Sequence, residues 1–187
     1  MLIYEVCQIS DIADGDCKST YGLLSNSQTA YLSSLNNTKR KQSLAVRALL
    51  KTVLQNNFEG ICISQLSADC KGKPYLIDSN LFISLAHSGD YVGCAVSDNA
   101  VGIDIEKIKP VKSSVIKRVC STEEIIKIKT DADFFTYWTL KEAYVKATGK
   151  TKSKFCELSF ADNTFKNQFN TVTNETNGYI YSVVELI

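Results

Sequence analysis

Net charge is nearly missing from this chain: 21 Lys+Arg face 20 Asp+Glu, for a formal +1 over 187 residues. So neutral a molecule has no overall electrostatic pull toward nucleic acid or an anionic membrane, and any positive patch must be local. The makings of a zinc site are missing as well. Seven cysteines, at positions 7, 17, 62, 70, 94, 120 and 156, form no Cys-x-x-Cys, and His87 is the one histidine. They read as reduced thiols, whose odd number needs no explanation in a reducing compartment. No stretch approaches the ~20 apolar residues of a membrane span. The opening residues, Met1 to Cys7, lack the basic start and long apolar run of a signal peptide. A cytoplasmic protein is expected. No internal repeat or low-complexity domain is visible, and 44% hydrophobic content is ample for a core that folds without staples.

Local patterns predict a mixed α+β chain. Residues 2–7 alternate as a strand, and 11–21 are polar and turn-rich. A helix capped by Ser25 or Ser27 follows, then a second over 38–55 with Leu44, Ala48, Leu49, Val53 and Leu54 at helical spacing. Strands are expected over 61–66 and 81–86, separated by the turn Lys71-Gly72-Lys73-Pro74. Residues 91–96 and 100–105 flank the turn-forming Ser97-Asp98-Asn99 and read as a hairpin, which would place Asp104 near the end of a central strand. After a linker at Pro110, helices are expected over 113–120, from the capping box Ser121…Glu124, and over 131–148, stopped by Gly149. Strands at 155–160 and 179–186 would enclose an Asn- and Thr-rich, loop-like stretch.

Two stretches put charge where apolar residues are usual. In Gly102-Ile103-Asp104-Ile105-Glu106-Lys107, strand alternation points Asp104 and Glu106 to one face, roughly 6–7 Å apart. In Trp138-Thr139-Leu140-Lys141-Glu142-Ala143-Tyr144-Val145-Lys146, the helix is apolar on nearly every side, and Glu142 and Lys146 share a face. Burying such groups costs several kcal/mol unless each finds a partner. Taken singly, an Asp-x-Glu on a strand is usually solvated, and a Glu–Lys pair at this spacing is usually a surface pair worth about 0.3–0.5 kcal/mol. Together, three acids able to converge are what an oxygen-preferring ion such as Mg2+ requires. Arg40 and Arg47 lie two turns apart on roughly one face of their helix, where a solvated basic face is the plainer reading.

These motifs, in this order, resemble the 4'-phosphopantetheinyl transferases, in particular the longer, Sfp-type members with two related halves in one chain. The resemblance rests on Arg40 and Arg47, Gly72-Lys73-Pro74, the strand ending Ser84-Leu85-Ala86-His87-Ser88-Gly89, the Gly-Ile-Asp-Ile-Glu-Lys strand, and the Trp-x-x-Lys-Glu-x-x-x-Lys helix ending Gly149-Lys150. It implies transfer of the phosphopantetheine arm of coenzyme A to a serine of an apo acyl or peptidyl carrier protein, with release of adenosine 3',5'-bisphosphate. It implies Asp104, Glu106 and Glu142 as ligands of Mg2+ or Mn2+, with Asp104, Glu142 and Lys146 in catalysis and either Glu142 or a metal-bound water as base. Coenzyme A would meet Gly72, Lys73 and Pro74 at the adenine, Arg40 or Arg47 at the 3'-phosphate, and His87, Ser88 and Lys146 at phosphates. Lys141 would contact the cofactor or reach solvent.

By the same resemblance the fold has two similar halves, 1–99 and 100–187, each a small antiparallel sheet with a long helix, coenzyme A between them, and the chain a monomer. An acidic carrier would favour Lys107, Lys109, Lys112, Lys117 and Arg118. Ala86 stands where most relatives carry Ser or Thr, Lys51 where an Arg is frequent. Two other readings use the same residues. A module that binds coenzyme A or a carrier without transfer is suggested by Ala86. A metal-dependent phosphohydrolase needs the three acids and no carrier.

Overall fold

The computed structural model describes residues 1–150 and 152–187. The chain forms two compact units, Met1–Asp98 and Asn99–Ile187. Mixed α+β architecture with small antiparallel sheets is what the sequence predicts.

The first unit opens with β1 (Leu2–Gln8) and three helices, α1 (Asp14–Leu23), α2 (Asn26–Ser34) and α3 (Asn37–Asn57). After them come the short strands β2 (Leu66–Ala68) and β3 (Pro74–Leu76), then β4 (Phe82–Ser88) and β5 (Tyr91–Ser97). The sheet order is β1-β5-β4, antiparallel throughout, and every residue of the central β5 is buried. Long α3, capped by Asn36, packs Val46, Leu50, Val53 and Leu54 onto that sheet with Ile83, Val92, Cys94 and Val96. Ser25 caps α2 through the backbone N–H of Gln28, one of the two caps anticipated.

The second unit begins with β6 (Val101–Lys107), followed by α4 (Ser113–Val119), α5 (Thr122–Lys127) and α6 (Asp131–Thr148). Short α7 (Asn163–Lys166), β7 (Phe169–Thr176) and β8 (Tyr179–Leu186) complete it. Its sheet has the order β6-β8-β7, and α6 lies across β6 and β8. As expected, Ser121 and Glu124 form a capping box, and α6 ends at Gly149.

Five expectations are corrected. Residues 14–23 form α1, with Asp14 and Asp16 favourably placed in its first turn and Lys51 of α3 bonded to Ser19 Oγ at 2.9 Å. The run 61–66 holds a short 3-10 turn at Ile63–Gln65, and its strand starts only at Leu66. The hairpin across Ser97-Asp98-Asn99 does not form. Both edges of β5 are taken by β1 and β4, so β6 pairs with β8 in the other sheet, as an edge strand. Residues 155–160 are not a strand, because the Phe155 carbonyl and the Phe160 N–H bond side chains instead of a ladder. The loop-like Asn/Thr stretch is β7, joined to β8 by Asn177-Gly178 with φ of 47° and 77°. Both residues are left-handed, as a tight hairpin turn requires.

Candidate active site

In the second unit, β6 and α6 meet unusually closely, and Gly102 is the reason. A Cβ there would run into the Ala143 carbonyl oxygen and sit 2.8 Å from the Ala147 backbone nitrogen. Alternation places Asp104 on the same β6 face as Gly102, the face that meets α6. Asp104 Oδ1 accepts a hydrogen bond from Lys146 Nζ at 2.8 Å, and the same ammonium donates to the Ile103 carbonyl at 2.8 Å. The other Asp104 oxygen, Oδ2, is buried and has no hydrogen-bond partner among the described residues. Burial pushes this carboxyl from its ordinary 3.8 up to about 6; Lys146 pulls it down, and Glu106 and Glu142 push it further up. Their field acting on Asp104 marks the three acids as neighbours. Glu142 is buried at 5% exposure, while Glu106 is half-buried. As they stand, no three His, Cys, Asp or Glu side chains among the described residues form a group that could hold a metal ion.

The helix bearing these groups is fixed from several sides. Trp138 stacks on Phe134 and meets Phe155 edge-on at 5.8 Å, while Tyr144 meets Phe160, Phe165 and Phe169 edge-on. Thr139 and Ser182 share a buried hydroxyl contact at 2.7 Å, and Ser182 is the register partner of Asp104.

Lys141 departs from expectation. Its side chain is wholly buried and reaches neither solvent nor an open cleft. It pairs with Glu124 Oε2 at 2.5 Å and donates to the Val119 and Phe155 carbonyls at 2.9 and 2.8 Å. The coenzyme A contact assigned to Lys141 is therefore withdrawn: an ammonium has three donors, and all three are used.

The first unit holds a cleft of about 510 Å³ lined by Gln28, Tyr31, Ser43, Arg47, Asp69, Gly72, Pro74, Leu85 and His87, among others. Arg47 is 7% exposed; its Nε and Nη2 bond Gln28 Oε1 at 3.1 and 2.8 Å, and its Nη1 bonds the Ser43 carbonyl at 2.8 Å. Its guanidinium lies 5.3 Å from the centre of the Tyr31 ring. No carboxylate forms an ion pair with it among the described residues, so a buried cation stands beside a cleft whose lining acid, Asp69, is engaged by backbone N–H groups of its own loop.

Arg40 does otherwise. It is exposed and bonds the carbonyls of Leu32, Ser33 and Leu35, closing the C-terminal end of α2. Lys73 and Ser88 are not among the residues lining the Arg47 cleft; Lys73 lines a neighbouring one with Tyr75 and Phe82. Asp69 shapes the glycine loop by accepting from the Lys71 and Lys73 N–H groups at 2.8 Å each, which holds its carboxyl below the usual range. Ala86 is 4% exposed and, by alternation, faces away from Leu85 and His87, so a hydroxyl there would not line this cleft. The basic residues Lys107, Lys109, Lys112, Lys117 and Arg118 are all exposed.

Sequence reasoning missed Gln28, Tyr31 and Asp69 in the cleft, and Glu124 as the partner of Lys141. Only Asp69 had a local signal, a turn-forming Asp three residues ahead of a glycine.

Comparison with known proteins agrees with the second unit's motifs. The sequence model of the 4'-phosphopantetheinyl transferase superfamily matches residues 100–185. The chain is 42% identical over 86 residues to the 4'-phosphopantetheinyl transferase psf-1 of Bacillus pumilus, covering 42% of this chain and 37% of that protein. It is 37% identical over 86 residues to the 4'-phosphopantetheinyl transferase Sfp of Bacillus subtilis, covering 42% and 38%. To the 4'-phosphopantetheinyl transferase HetI of Nostoc sp. it is 34% identical over 137 residues, covering 65% and 57%. The chain thus spans between a third and three fifths of the length of the curated relatives it matches. No helix among the described residues is long and apolar enough to cross a membrane.

Proposed function

We propose that this chain moves the phosphopantetheine arm of coenzyme A onto a carrier protein, because residues 100–185 match the model of the 4'-phosphopantetheinyl transferase superfamily and its relatives over that region carry that name. The acceptor is a serine hydroxyl of an apo acyl or peptidyl carrier protein, and the other product is adenosine 3',5'-bisphosphate. The observation that carries this reading is Asp104: a buried carboxylate with one oxygen on Lys146, the other unpartnered, and two further acids acting on it.

Displacement at a pyrophosphate needs a serine that loses its proton, a neutralised phosphate and a stabilised leaving group. Glu142, buried on α6, would take the serine proton, directly or through a water. Lys146 brings a fixed positive charge to the departing phosphate and is held in position by Asp104 and the Ile103 carbonyl. The orphaned Oδ2 of Asp104, in the field of Glu106 and Glu142, fits a hard cation, and Asp104, Glu106 and Glu142 would hold Mg2+ or Mn2+. Bound there, such an ion would neutralise charge on the pyrophosphate oxygens.

The first unit would bind the adenosine end of coenzyme A. Arg47, a buried cation beside the cleft and in no ion pair among the described residues, is the better choice than Arg40 for the 3'-phosphate; Gly72, Pro74 and His87 share that cleft. The exposed basic run from Lys107 to Arg118 would suit an acidic carrier.

Intact-mass analysis of apo-carrier proteins incubated with this protein, coenzyme A and Mg2+ tests the proposal. A carrier heavier by one phosphopantetheine is expected. No gain across a panel of acyl and peptidyl carriers would refute it.

A further inference from the structure

We propose that Lys141 and Glu124 are positioning residues, a buried ion pair that fixes the roll of α6 and so aims Glu142. The inference rests on the transferase reading for its kinetic consequence, though not for its structural one.

The Lys141 ammonium joins α6 to three other segments. Glu124 belongs to α5, the Val119 carbonyl ends α4, and the Phe155 carbonyl lies in the segment after α6. Glu124 completes the knot by accepting from the Ser121 and Phe160 N–H groups at 2.9 Å each, and both side chains are 0% exposed. Burial pushes the Glu124 carboxyl up while Lys141 and the two N–H donors pull it down.

Stability alone is a weak reason for such a pair, since apolar residues of similar volume often serve a fold as well or better. What apolar residues would not supply is direction. Lys141 and Glu142 are adjacent, about 100° apart around the helix, and Lys146 forms a second anchor on Asp104 and the Ile103 carbonyl. Two anchors on different sides of the axis, with Glu142 between them, stop the helix from rolling. At the ~5–6 Å radius of a helix with its side chains, a 10° roll would carry the Glu142 carboxylate by about 1 Å. A misplacement of that size costs up to about 100-fold in rate.

The test compares Lys141→Met, Lys141→Met/Glu124→Gln and the unaltered chain. Lys141→Met alone strands the Glu124 carboxylate and is expected to melt far lower. The double variant removes both charges, keeps an acceptor for the α5 cap, and is expected to melt within about 5 °C of the unaltered chain. Its kcat should nonetheless stay 10- to 100-fold down, with KM for coenzyme A within threefold. Trp138, the single tryptophan, sits on α6 against Phe155 and should become more accessible to acrylamide quenching.

Recovery of kcat together with melting temperature would overturn the inference. So would a KM raised tenfold at constant kcat, which would return Lys141 to the cofactor, or a double variant that cannot fold. If the unaltered chain transfers nothing, the function above fails; the positioning inference then stands or falls on Trp138, and unchanged quenching in a folded double variant would end it.

Discussion

Gly102→Ala is a one-methyl perturbation whose sign depends on how closely α6 lies on β6. In an ordinary strand, replacing glycine with alanine gains roughly 0.5–1 kcal/mol by restricting the unfolded chain. Here the added Cβ would stand 2.8 Å from the Ala147 nitrogen, where ordinary contact is 3.4–4 Å, and closer still to the Ala143 oxygen. Relief requires α6 to retreat by roughly 1 Å, because the obstructing atoms are backbone and cannot rotate away. Overpacking of this kind costs about 1–3 kcal/mol and outweighs the chain-entropy gain. The retreat also lengthens the 2.8 Å bond from Lys146 to Asp104. Thermal unfolding should show a melting temperature lower by about 4–10 °C. Carrier modification, measured well below that temperature, should be 10- to 100-fold slower. Trimming a side chain should not help, so Gly102→Ala/Ala143→Gly should melt no higher than the single variant. A melting temperature unchanged or raised, with turnover within twofold, would refute the close-contact argument.

Asp104→Asn should abolish transfer yet stabilise the metal-free protein at pH 8 by about 1–3 kcal/mol in urea unfolding. The native carboxyl binds its proton up to about pH 6 against 3.8 unfolded, so its contribution is fully present below about pH 4 and is lost as pH rises toward 6. With a chelator present, unfolding from pH 4 to 8 should show that decline in the unaltered chain and a smaller one in Asp104→Asn. Arg47→Lys should raise KM for coenzyme A tenfold or more, because a buried fork is exchanged for a point charge. Arg40→Ala should instead lower the melting temperature by a few degrees with KM within threefold, since it removes only the closure of α2. Equal KM effects from both would show that the division between the two arginines is wrong.

Elements specified by local chemistry were readable in advance. The cap at Ser25, the Ser121…Glu124 box and the stop at Gly149 each follow from a few adjacent residues, and each is present. The hairpin expected across Ser97-Asp98-Asn99 failed for a reason no local window contains: β5 already had partners at 2–8 and 82–88. The reverse error fell on Asn177-Gly178, a strong hairpin signal hidden within an Asn- and Thr-rich run that looked like loop. The Asp104–Lys146 pairing lay one step beyond the sequence, since each side chain's face was predictable and their meeting was not. Lys141 was misjudged because its partner is 17 positions away on another helix. Arg40 and Arg47 were indistinguishable by spacing and differ only in what surrounds their guanidinium groups.

The three charged residues in the interior of α6, Lys141, Glu142 and Lys146, show why helix geometry, more than residue type, divides their work. Thr139, Ala143 and Ala147 recur at four-residue spacing and form the stripe against the sheet, meeting Ser182 and Gly102. Glu142 and Lys146 flank that stripe about 40° from one another, so both lie toward the β6 face that carries Asp104. Lys141 is about 140° round from Lys146 and goes to α4 and α5. The same ammonium therefore closes a packed interior at one position and faces a half-open acidic site at the other, where it remains 31% exposed. Exposure separates the roles physically: a cation with every donor satisfied in the dry interior has nothing left for a ligand, whereas a partly solvated one can exchange water for phosphate oxygens. Neutralising Lys146 should therefore affect turnover far more than folding, whereas neutralising Lys141 alone should lower the melting temperature and turnover together.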